Sequence, residues 1–165
     1  VIEAGKVANE FQLYEDRPYI YNAWEITDYY KTKPYVWDAE AEIEPITDGT
    51  RSGFNVTRKY MNSTVNQKIW LNSNNRRIDF DNDLDWHDNH HFVKIAFPFN
   101  IHTDKAAYEI QFGHLYRPTH ENTDWERAKF EVCGQKWADL SEKGYGVSTH
   151  ANNALSTLII GKQTN

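Results

Sequence analysis

The residues best suited to chemistry stand in one short stretch, where a strand pattern gives way to imidazole and guanidinium groups. In Tyr108–Phe112, apolar and polar residues alternate with the period of two typical of a half-buried strand. His114, Arg117 and His120 follow, in what the sequence predicts to be a loop. Loops of this composition often handle polar ligands. The alternative is an ordinary strand-to-loop exit with solvated polar groups, and composition alone favours that alternative.

Two other clusters carry side chains of the kind that bind metals. The acidic run over residues 79–85 has an aspartate at every second position, so a strand would place all its carboxylates on the solvent face. It lacks the glycine turn and the later glutamate of a calcium loop. Among His87, His90 and His91, the last two point to opposite faces of an extended segment. A zinc site would need further ligands from elsewhere, so no metal ligand is predicted in this chain.

Cys133 is the single cysteine, so the chain can form no internal disulfide and an oxidising compartment is not indicated. It lies in a run with strand character. The sequence predicts a buried, inert thiol rather than a nucleophile.

Strand patterns dominate the remaining chain. The predicted strands are Asn9–Tyr14, Ser52–Tyr60, Thr64–Leu71, Arg76–Trp86, Phe92–Phe99, Tyr108–Phe112, Lys129–Trp137 and Tyr145–Thr149. Turn signals every eight to twelve residues favour an antiparallel sandwich or barrel, and no stretch shows a sustained helical period. The aromatic and acidic segment Tyr19–Tyr30 lacks alternation and is predicted as a packed loop with a short helical turn.

Length and charge exclude several classes of function. A chain of 165 residues is long enough for one domain with a core. Its net charge of −6, without a basic block, argues against nucleic-acid partners and anionic membranes. No apolar run is long enough to span a membrane, and no signal peptide is visible at the start, so the expected location is the cytoplasm. The missing initiator Met indicates a processed product or a cut piece.

A series of motifs runs through the chain in a fixed order. The motifs are Tyr19–Glu25, Leu84–His87, Val93–Pro98, Tyr108–His114, Arg117–His120, Asn122-Thr123, Phe130–Cys133 and Lys136–Glu142. In order and spacing they resemble one segment of the α-mannosidases of glycoside hydrolase family 38, in the bacterial and cytosolic branch. The resemblance covers residues 5–147.

The resemblance implies the fold of this segment, and it implies that the catalytic residues belong to another domain. It implies a mainly β, antiparallel β-sandwich of the galactose-mutarotase-like supersandwich type over residues 5–147, incomplete in this chain. Residues 148–165 depart from the family pattern and are expected to form an added strand or a disordered tail. In the family, the nucleophilic aspartate and the zinc ligands belong to an N-terminal catalytic domain. The resemblance therefore implies no catalytic residue and no cofactor in this chain, with zinc in the parent enzyme.

Six residues are candidates for contacts with a sugar. They lie in two predicted loops: His114, Arg117 and His120 in one, and Tyr21, Trp24 and Glu25 in the other. Arginine offers a planar fork to hydroxyl groups, and aromatic rings cover the apolar faces of sugars. The family usually has aspartate at the position of Glu25. The alternative is that all six only pack and hydrogen-bond within the protein.

Three hypotheses for function follow. In the leading one, the chain is a fragment of a zinc-dependent retaining α-mannosidase that hydrolyses terminal α-mannosides, and it supplies scaffold and one wall of the sugar pocket. The isolated chain is then inactive, and its partners are the N-terminal catalytic domain and, through the parent enzyme, α-mannoside glycans. The alternatives are a stand-alone carbohydrate-binding module with Trp37 or Trp125 as platform, and a structural domain that self-associates through uncovered edges and faces.

Overall fold

The computed structural model describes residues 1–22 and 24–151, which divide into two compact units. The first unit is Glu10–Ile95, and the second combines Val1–Asn9 with the described residues from Ala96 onward. The strands are β1 (Glu10–Glu15), β2 (Pro34–Tyr35), β3 (Glu42–Asp48), β4 (Arg51–Tyr60), β5 (Ser63–Asn72), β6 (Ile78–Asp85), β7 (His91–Ala96), β8 (Lys105–Ile110), β9 (Gly113–Pro118), β10 (Trp137–Glu142) and β11 (Tyr145–His150). A 3-10 helix spans Asp28–Thr32, and one α-helix, α1, spans Asp124–Ala128.

Antiparallel sheets account for most of this structure, which confirms the predicted fold class. The first unit contains a four-stranded sheet in the order β3-β4-β5-β6 and a three-stranded sheet in the order β2-β1-β7. The second unit contains a four-stranded sheet in the order β11-β10-β8-β9.

The long hairpin β4–β5 is the centre of the first unit. Ten consecutive residue pairs join its strands, from Arg51 opposite Asn72 to Tyr60 opposite Ser63. The turn between the two strands falls at Met61 and Asn62, and Met61 adopts a left-handed backbone with φ of 44°. Alternation along β5 buries Val65 on the inner face, and the strand is flanked on the other side by β6. The predicted strands Ser52–Tyr60, Thr64–Leu71 and Arg76–Trp86 are confirmed.

Aromatic rings join the two sheets of the first unit. Trp37, which follows β2, packs 5.6 Å from Phe11 of β1 and 5.5 Å from Tyr60 of β4, measured between ring centroids. Tyr60 in turn stacks on Trp86 at 6.1 Å. The guanidinium of Arg58 lies over the Phe11 ring. Rings that cross from one sheet to the other in this way form the layer between the two sheets of a sandwich.

A second aromatic group covers the opposite face of the three-stranded sheet. Tyr30 of the 3-10 helix packs edge-on against Tyr14 of β1 and Phe92 of β7. Its hydroxyl accepts a hydrogen bond from Lys94 Nζ at 2.7 Å, and Tyr30 is buried. The helical turn predicted within Tyr19–Tyr30 is therefore confirmed, and its role is to cover this face.

The acidic run over residues 79–85 lies on the outward face of β6, as predicted. The register places Asp79, Asp81 and Asp83 opposite Trp70, Lys68 and Asn66 of β5. On the same face, the Arg51 guanidinium lies 4.7 Å above the Trp70 ring and shields it from water.

The second unit has its own core behind the sheet β11-β10-β8-β9. Ile101, Ala106, Tyr108, Ala138 and Leu140 are buried together, and Phe99, Val132 and Val147 pack around them. Tyr108 is the largest of the fully buried side chains. Its pairing with Leu115 of β9 and Ala138 of β10 places the ring at the middle of the sheet.

Several sequence predictions are wrong in this second unit. The strand predicted over Lys129–Trp137 is absent; in its place α1 ends at Ala128, and β10 begins only at Trp137. The predicted loop after Phe112 is strand β9. The helix α1 starts with a capping box between Thr123 and Glu126, a pattern readable in the sequence. Strand β10 was not predicted, and neither were strands β2 and β3 of the first unit.

The predicted tail 148–165 falls partly within the described residues. Its first residues, through His150, belong to β11, which pairs along its whole length with β10. Residues 152–165 lie outside the part of the chain that the structure describes. Within residues 1–22 and 24–151, no helix is both long and apolar enough to cross a membrane.

Candidate functional site

The loop before the 3-10 helix presents a group of exposed aromatic side chains. Trp24 is 78% exposed and Tyr21 is 58% exposed, and their rings meet edge-on with centroids 5.3 Å apart. Tyr19 packs in the same manner against Tyr29 at 5.7 Å, and the Tyr29 hydroxyl donates to the Arg17 carbonyl. The predicted packing of this loop is therefore wrong, because these rings contact each other and leave their other faces in water.

Backbone and side-chain contacts hold this loop in place. The Glu25 amide donates to the Tyr21 carbonyl at 3.3 Å, which closes the turn and brings Tyr21, Trp24 and Glu25 together. Asn22 Nδ2 lies 3.3 Å from His90 Nδ1, which also lies 3.3 Å from the Asp16 carbonyl oxygen. The structure thus brings the three predicted residues together in one turn, while their contact with a sugar remains a prediction.

The other predicted trio does not form a single wall. His114 and Arg117 both lie in β9, and because they are three residues apart they point to opposite faces of the sheet. The His114 ring contacts Tyr116 and Trp137 on the exposed face. The Arg117 guanidinium lies 5.5 Å over the buried Tyr108 ring and donates to the Cys133 carbonyl at 3.4 Å.

His120 belongs to a third environment, beside the start of α1. Its Nδ1 lies 3.3 Å from Glu126 Oε2. The same carboxylate accepts the Thr123 amide, while the Thr123 hydroxyl accepts the Glu126 amide. Partial burial opposes ionisation of Glu126, but the hydrogen bonds from Thr123 and the nearby His120 hold the pKa of this carboxyl below its usual 4.5. His120 therefore supports the helix cap.

The loop between β6 and β7 contains a polar cluster that sequence reasoning missed. Asp88, which is 9% exposed, accepts hydrogen bonds from the Ser63 hydroxyl at 2.6 Å and from the Asn62 amide and side chain at 3.3 Å each. The Ser63 oxygen in turn accepts the amides of His87 and Asp88. This cluster ties the β4–β5 turn to the segment that leads into β7. Its residues lie 25 positions apart, so no local pattern could have revealed the contact.

Charge and burial in this cluster change two pKa values. The Ser63 hydrogen bond, helped by Asn62 and His91, lowers the pKa of Asp88 below 3.8 although burial opposes it. Burial raises the pKa of Tyr60 above 10.0, and neighbouring Tyr35 and Asp88 raise it further. The cluster therefore holds an ionised Asp88 beside a neutral phenol at neutral pH.

Replacing Asp88 with asparagine is expected to destabilise the fold at pH 7 and to remove part of its pH dependence. A carboxyl whose pKa is lower in the folded state stabilises the fold above its unfolded pKa, and this contribution is lost as pH falls through the folded pKa. The wild-type urea midpoint should therefore fall between about pH 5 and pH 3. The Asp88→Asn midpoint should be lower at pH 7 and flatter across this window.

The matched control is Asp83→Asn, on the exposed face of β6. Its midpoint at pH 7 should equal that of the wild type. If the urea midpoint of Asp88→Asn falls with pH in the same way as that of the wild type, Asp88 is not responsible for the loss of stability in acid.

Of three further residues singled out by the sequence, Cys133 and Trp37 occupy unexpected places. Cys133 is exposed, so the prediction of a buried thiol is wrong. Trp37 is packed among Phe11, Tyr60 and Trp86, and its indole nitrogen donates to the Lys59 carbonyl at 3.0 Å, so it offers no platform. Trp125 on α1 is 82% exposed.

No group of three or more histidine, cysteine, aspartate or glutamate side chains is placed to bind a metal ion among residues 1–22 and 24–151. His90 and His91, adjacent in sequence, have separate environments. His90 lies beside Asn22 and Asp16, whereas the His91 ring stacks on Tyr35 at 4.6 Å. The described residues therefore do not fit a zinc site.

Antiparallel sheets, with aromatic rings packed between the two sheets of the first unit, are consistent with the class of β-sandwich domains. The model of the glycosyl hydrolases family 38 C-terminal domain matches residues 1–161. The chain belongs to this family, as the motifs from Tyr19 to Glu142 indicated.

Curated relatives are consistent with this assignment. Alpha-mannosidase 2C1 of Homo sapiens is 37% identical over 154 residues, which are 89% of this chain and 14% of that protein. Alpha-mannosidase of Saccharomyces cerevisiae is 34% identical over an alignment of 165 residues, covering 88% of this chain and 15% of that protein. Alpha-mannosidase G of Dictyostelium discoideum is 46% identical over 87 residues. The chain thus spans about one seventh of the length of the first two relatives.

Proposed function

We propose that this chain is the β-sandwich part of a larger zinc-dependent, retaining α-mannosidase that hydrolyses terminal α-mannosides. The observation that carries the proposal is the match of residues 1–161 to a C-terminal domain of family 38, together with relatives that are named alpha-mannosidases and are about seven times longer. A single cysteine without a disulfide fits a reducing location such as the cytoplasm.

The proposal assigns the bond-breaking chemistry to another part of the enzyme. A retaining glycosidase needs two carboxyl groups held about 5 Å apart on either side of the scissile bond. Asp81, Asp83 and Asp85 of β6 share one face of a strand and lie open to water, without the burial that tunes a catalytic acid. With no metal-binding group among the described residues, zinc would be held by the catalytic domain.

This chain would contribute scaffold and surface to the sugar pocket. The exposed rings of Tyr21 and Trp24 suit the apolar face of a pyranose, and Glu25 beside them can accept sugar hydroxyls. His114 is also exposed and is steadied by Tyr116 and Trp137. Arg117 and His120 are engaged by Tyr108 and Glu126, so their part would be to fix β9 and α1.

A second candidate function is carbohydrate binding by the chain alone. The observation in its favour is the exposure of Tyr19, Tyr21 and Trp24 in one loop, because several adjacent aromatic rings form a sugar platform without help from another domain. In this candidate the loop binds mannose directly and no catalytic partner is required.

The isolated chain is expected to show no turnover of an aryl α-mannoside, with or without added zinc, because the proposal assigns the catalytic carboxyl pair and the zinc site to another domain. The measurement is release of the aryl group by the purified chain at micromolar concentration over hours. Turnover that exceeds a buffer blank and disappears with a chelator would overturn the assignment of chemistry to another domain.

Titration with mannose and mannobiose, followed by tryptophan fluorescence, separates the two candidates. Saturable binding by the isolated chain favours the binding module. Loss of that binding in Trp24→Ala locates the platform in the aromatic loop, whereas loss in the equally exposed Trp125→Ala locates it on α1. Absence of binding favours a surface that works only beside the catalytic domain. The reading frame flanking this segment gives an independent check, since the proposed enzyme requires an upstream catalytic domain.

A further inference from the structure

His90 lies where the turn between β6 and β7 meets the aromatic loop, which runs from Tyr19 to Glu25. Its Nδ1 lies 3.3 Å from Asn22 Nδ2, in the middle of the loop, and 3.3 Å from the Asp16 carbonyl oxygen, before the loop begins. Its carbonyl oxygen accepts the Asp16 amide at 2.8 Å. We propose that His90 is the positioning residue of the aromatic loop, which it holds through its side chain. The relevance of this role to a sugar rests on the proposed function.

The turn that carries His90 is fixed on both sides. Before it, Asp88 accepts the Ser63 hydroxyl at 2.6 Å and is thereby tied to the β4–β5 turn. After it, the His91 ring stacks on Tyr35 of β2 with centroids 4.6 Å apart. A side chain that extends from a fixed turn can give an adjacent loop a defined position.

Burial contributes little to the position of the aromatic loop. Residues 19–22 and Trp24 are exposed, so little apolar surface is removed from water there. The ring pair Tyr21–Trp24 and the hydrogen bond that closes the turn lie within the loop, so they fix its shape and not its place. The contact between Asn22 and His90 connects this part of the loop to the β6–β7 turn. Its loss would therefore release Tyr21 and Trp24 together.

The backbone of His90 gives a second reason to assign a role to its side chain. With φ of 59°, His90 lies in the left-handed region, where glycine is free of the steric penalty that a side chain brings. The protein thus keeps a side chain at a position that glycine fits better, and the contacts of the ring with Asn22 and Asp16 supply the reason. Glycine here would keep the turn and remove only the ring.

Asparagine is the conservative replacement for this histidine. Its Oδ1 and Nδ2 are as many bonds from Cβ as the histidine Nδ1 is, so it places a polar atom where Nδ1 lies. Asparagine also tolerates the left-handed backbone. His90→Asn can therefore keep the contact with Asn22, which His90→Gly loses.

Amide hydrogen exchange of the 165-residue chain, resolved by residue with NMR, tests the proposal without a sugar. In His90→Gly, the Glu25 amide that closes the turn of the loop should exchange about 2- to 10-fold faster than in the wild type, the effect of losing one polar contact. His90→Asn should restore the wild-type rate. The Asp16 amide donates to the backbone carbonyl at position 90, so it should keep its rate in both variants. The urea midpoint of His90→Gly should equal or exceed that of the wild type.

Two further variants serve as controls. Asn74→Gly makes the same kind of change at φ of 60° in the turn between β5 and β6, and it should leave exchange at Glu25 unchanged. Asn22→Ala should reproduce the effect of His90→Gly. The double variant of Asn22 and His90 should exchange no faster than either single variant, because both changes remove the same contact.

A Glu25 amide that exchanges at the wild-type rate in His90→Gly would overturn the proposal. Equal acceleration at Asp16 and Glu25 would overturn it too, by assigning the effect to the backbone of the turn. Multiplied rates in the double variant would show that the two side chains act separately, with the same consequence. These measurements contain no sugar, so they are independent of the mannose titration, whose failure would contradict a sugar platform and leave the positioning role of His90 in place.

Discussion

Replacing Gly53 with alanine should lower the free energy of unfolding by about 4 kcal/mol or more, a loss at the extreme of single substitutions. Gly53 lies in β4 opposite Trp70. An added Cβ would overlap the carbonyl oxygen of Ile69 and lie 2.9 Å from its carbonyl carbon and 3.2 Å from Trp70 Cα. Those atoms belong to the backbone of β5, so relief requires the two central strands to separate.

The matched control for Gly53→Ala is Gly113→Ala at the start of β9. A Cβ at Gly113 meets no atom within 4 Å, and this glycine does not have a positive φ. Its urea midpoint should stay within the error of the wild type. Equal midpoints for the two variants would show that β4 and β5 tolerate a methyl group at their closest approach.

Replacing Tyr108 with alanine is expected to cost about 3–5 kcal/mol, the range for removal of a buried aromatic side chain. Tyr108 is 1% exposed, fills the middle of the second unit's core, and supports the guanidinium of Arg117. Chemical denaturation should show a lower midpoint. If the second unit unfolds as a separate step, only that transition should move.

Tyr116→Ala is the control, because this tyrosine lies on the neighbouring strand and is 65% exposed. Its removal should change stability by no more than about 0.5–1 kcal/mol, since it loses a surface contact with His114. Similar losses from both tyrosines would contradict the assignment of Tyr108 to the core.

The candidate site was only partly predictable, and the reason is the geometry of strands. Tyr21, Trp24 and Glu25 are four residues apart at most, so a local turn suffices to group them. His114 and Arg117 were grouped by proximity in sequence, but β9 continues through them and sends alternate side chains to opposite faces. Strand β9 begins at Gly113, directly after a two-residue turn. Because glycine is typical of turns and loops, the sequence predicted a loop there.

The errors in the predicted strands and helix have similar causes. The pattern of residues 129–137 alternates like a strand, yet before Trp137 the backbone forms no more than a bridge at Gly134. Helix α1 is five residues long, too short for a hydrophobic period, although its Thr123–Glu126 capping box marks its start. Cys133 follows this irregular segment to the surface, since no sheet encloses it.

By itself the sequence determined the β character of the chain, the outward face of the aspartates in β6, and the family, because alternation and ordered motifs are local properties of the chain. Only the tertiary structure decided which strands pair and that Asp88 secures a turn 25 residues away. It also decided that Trp37 is packed between two sheets while Trp24 is exposed. These depend on contacts between distant residues, whose free energy arises only when the sheets stack and exclude water.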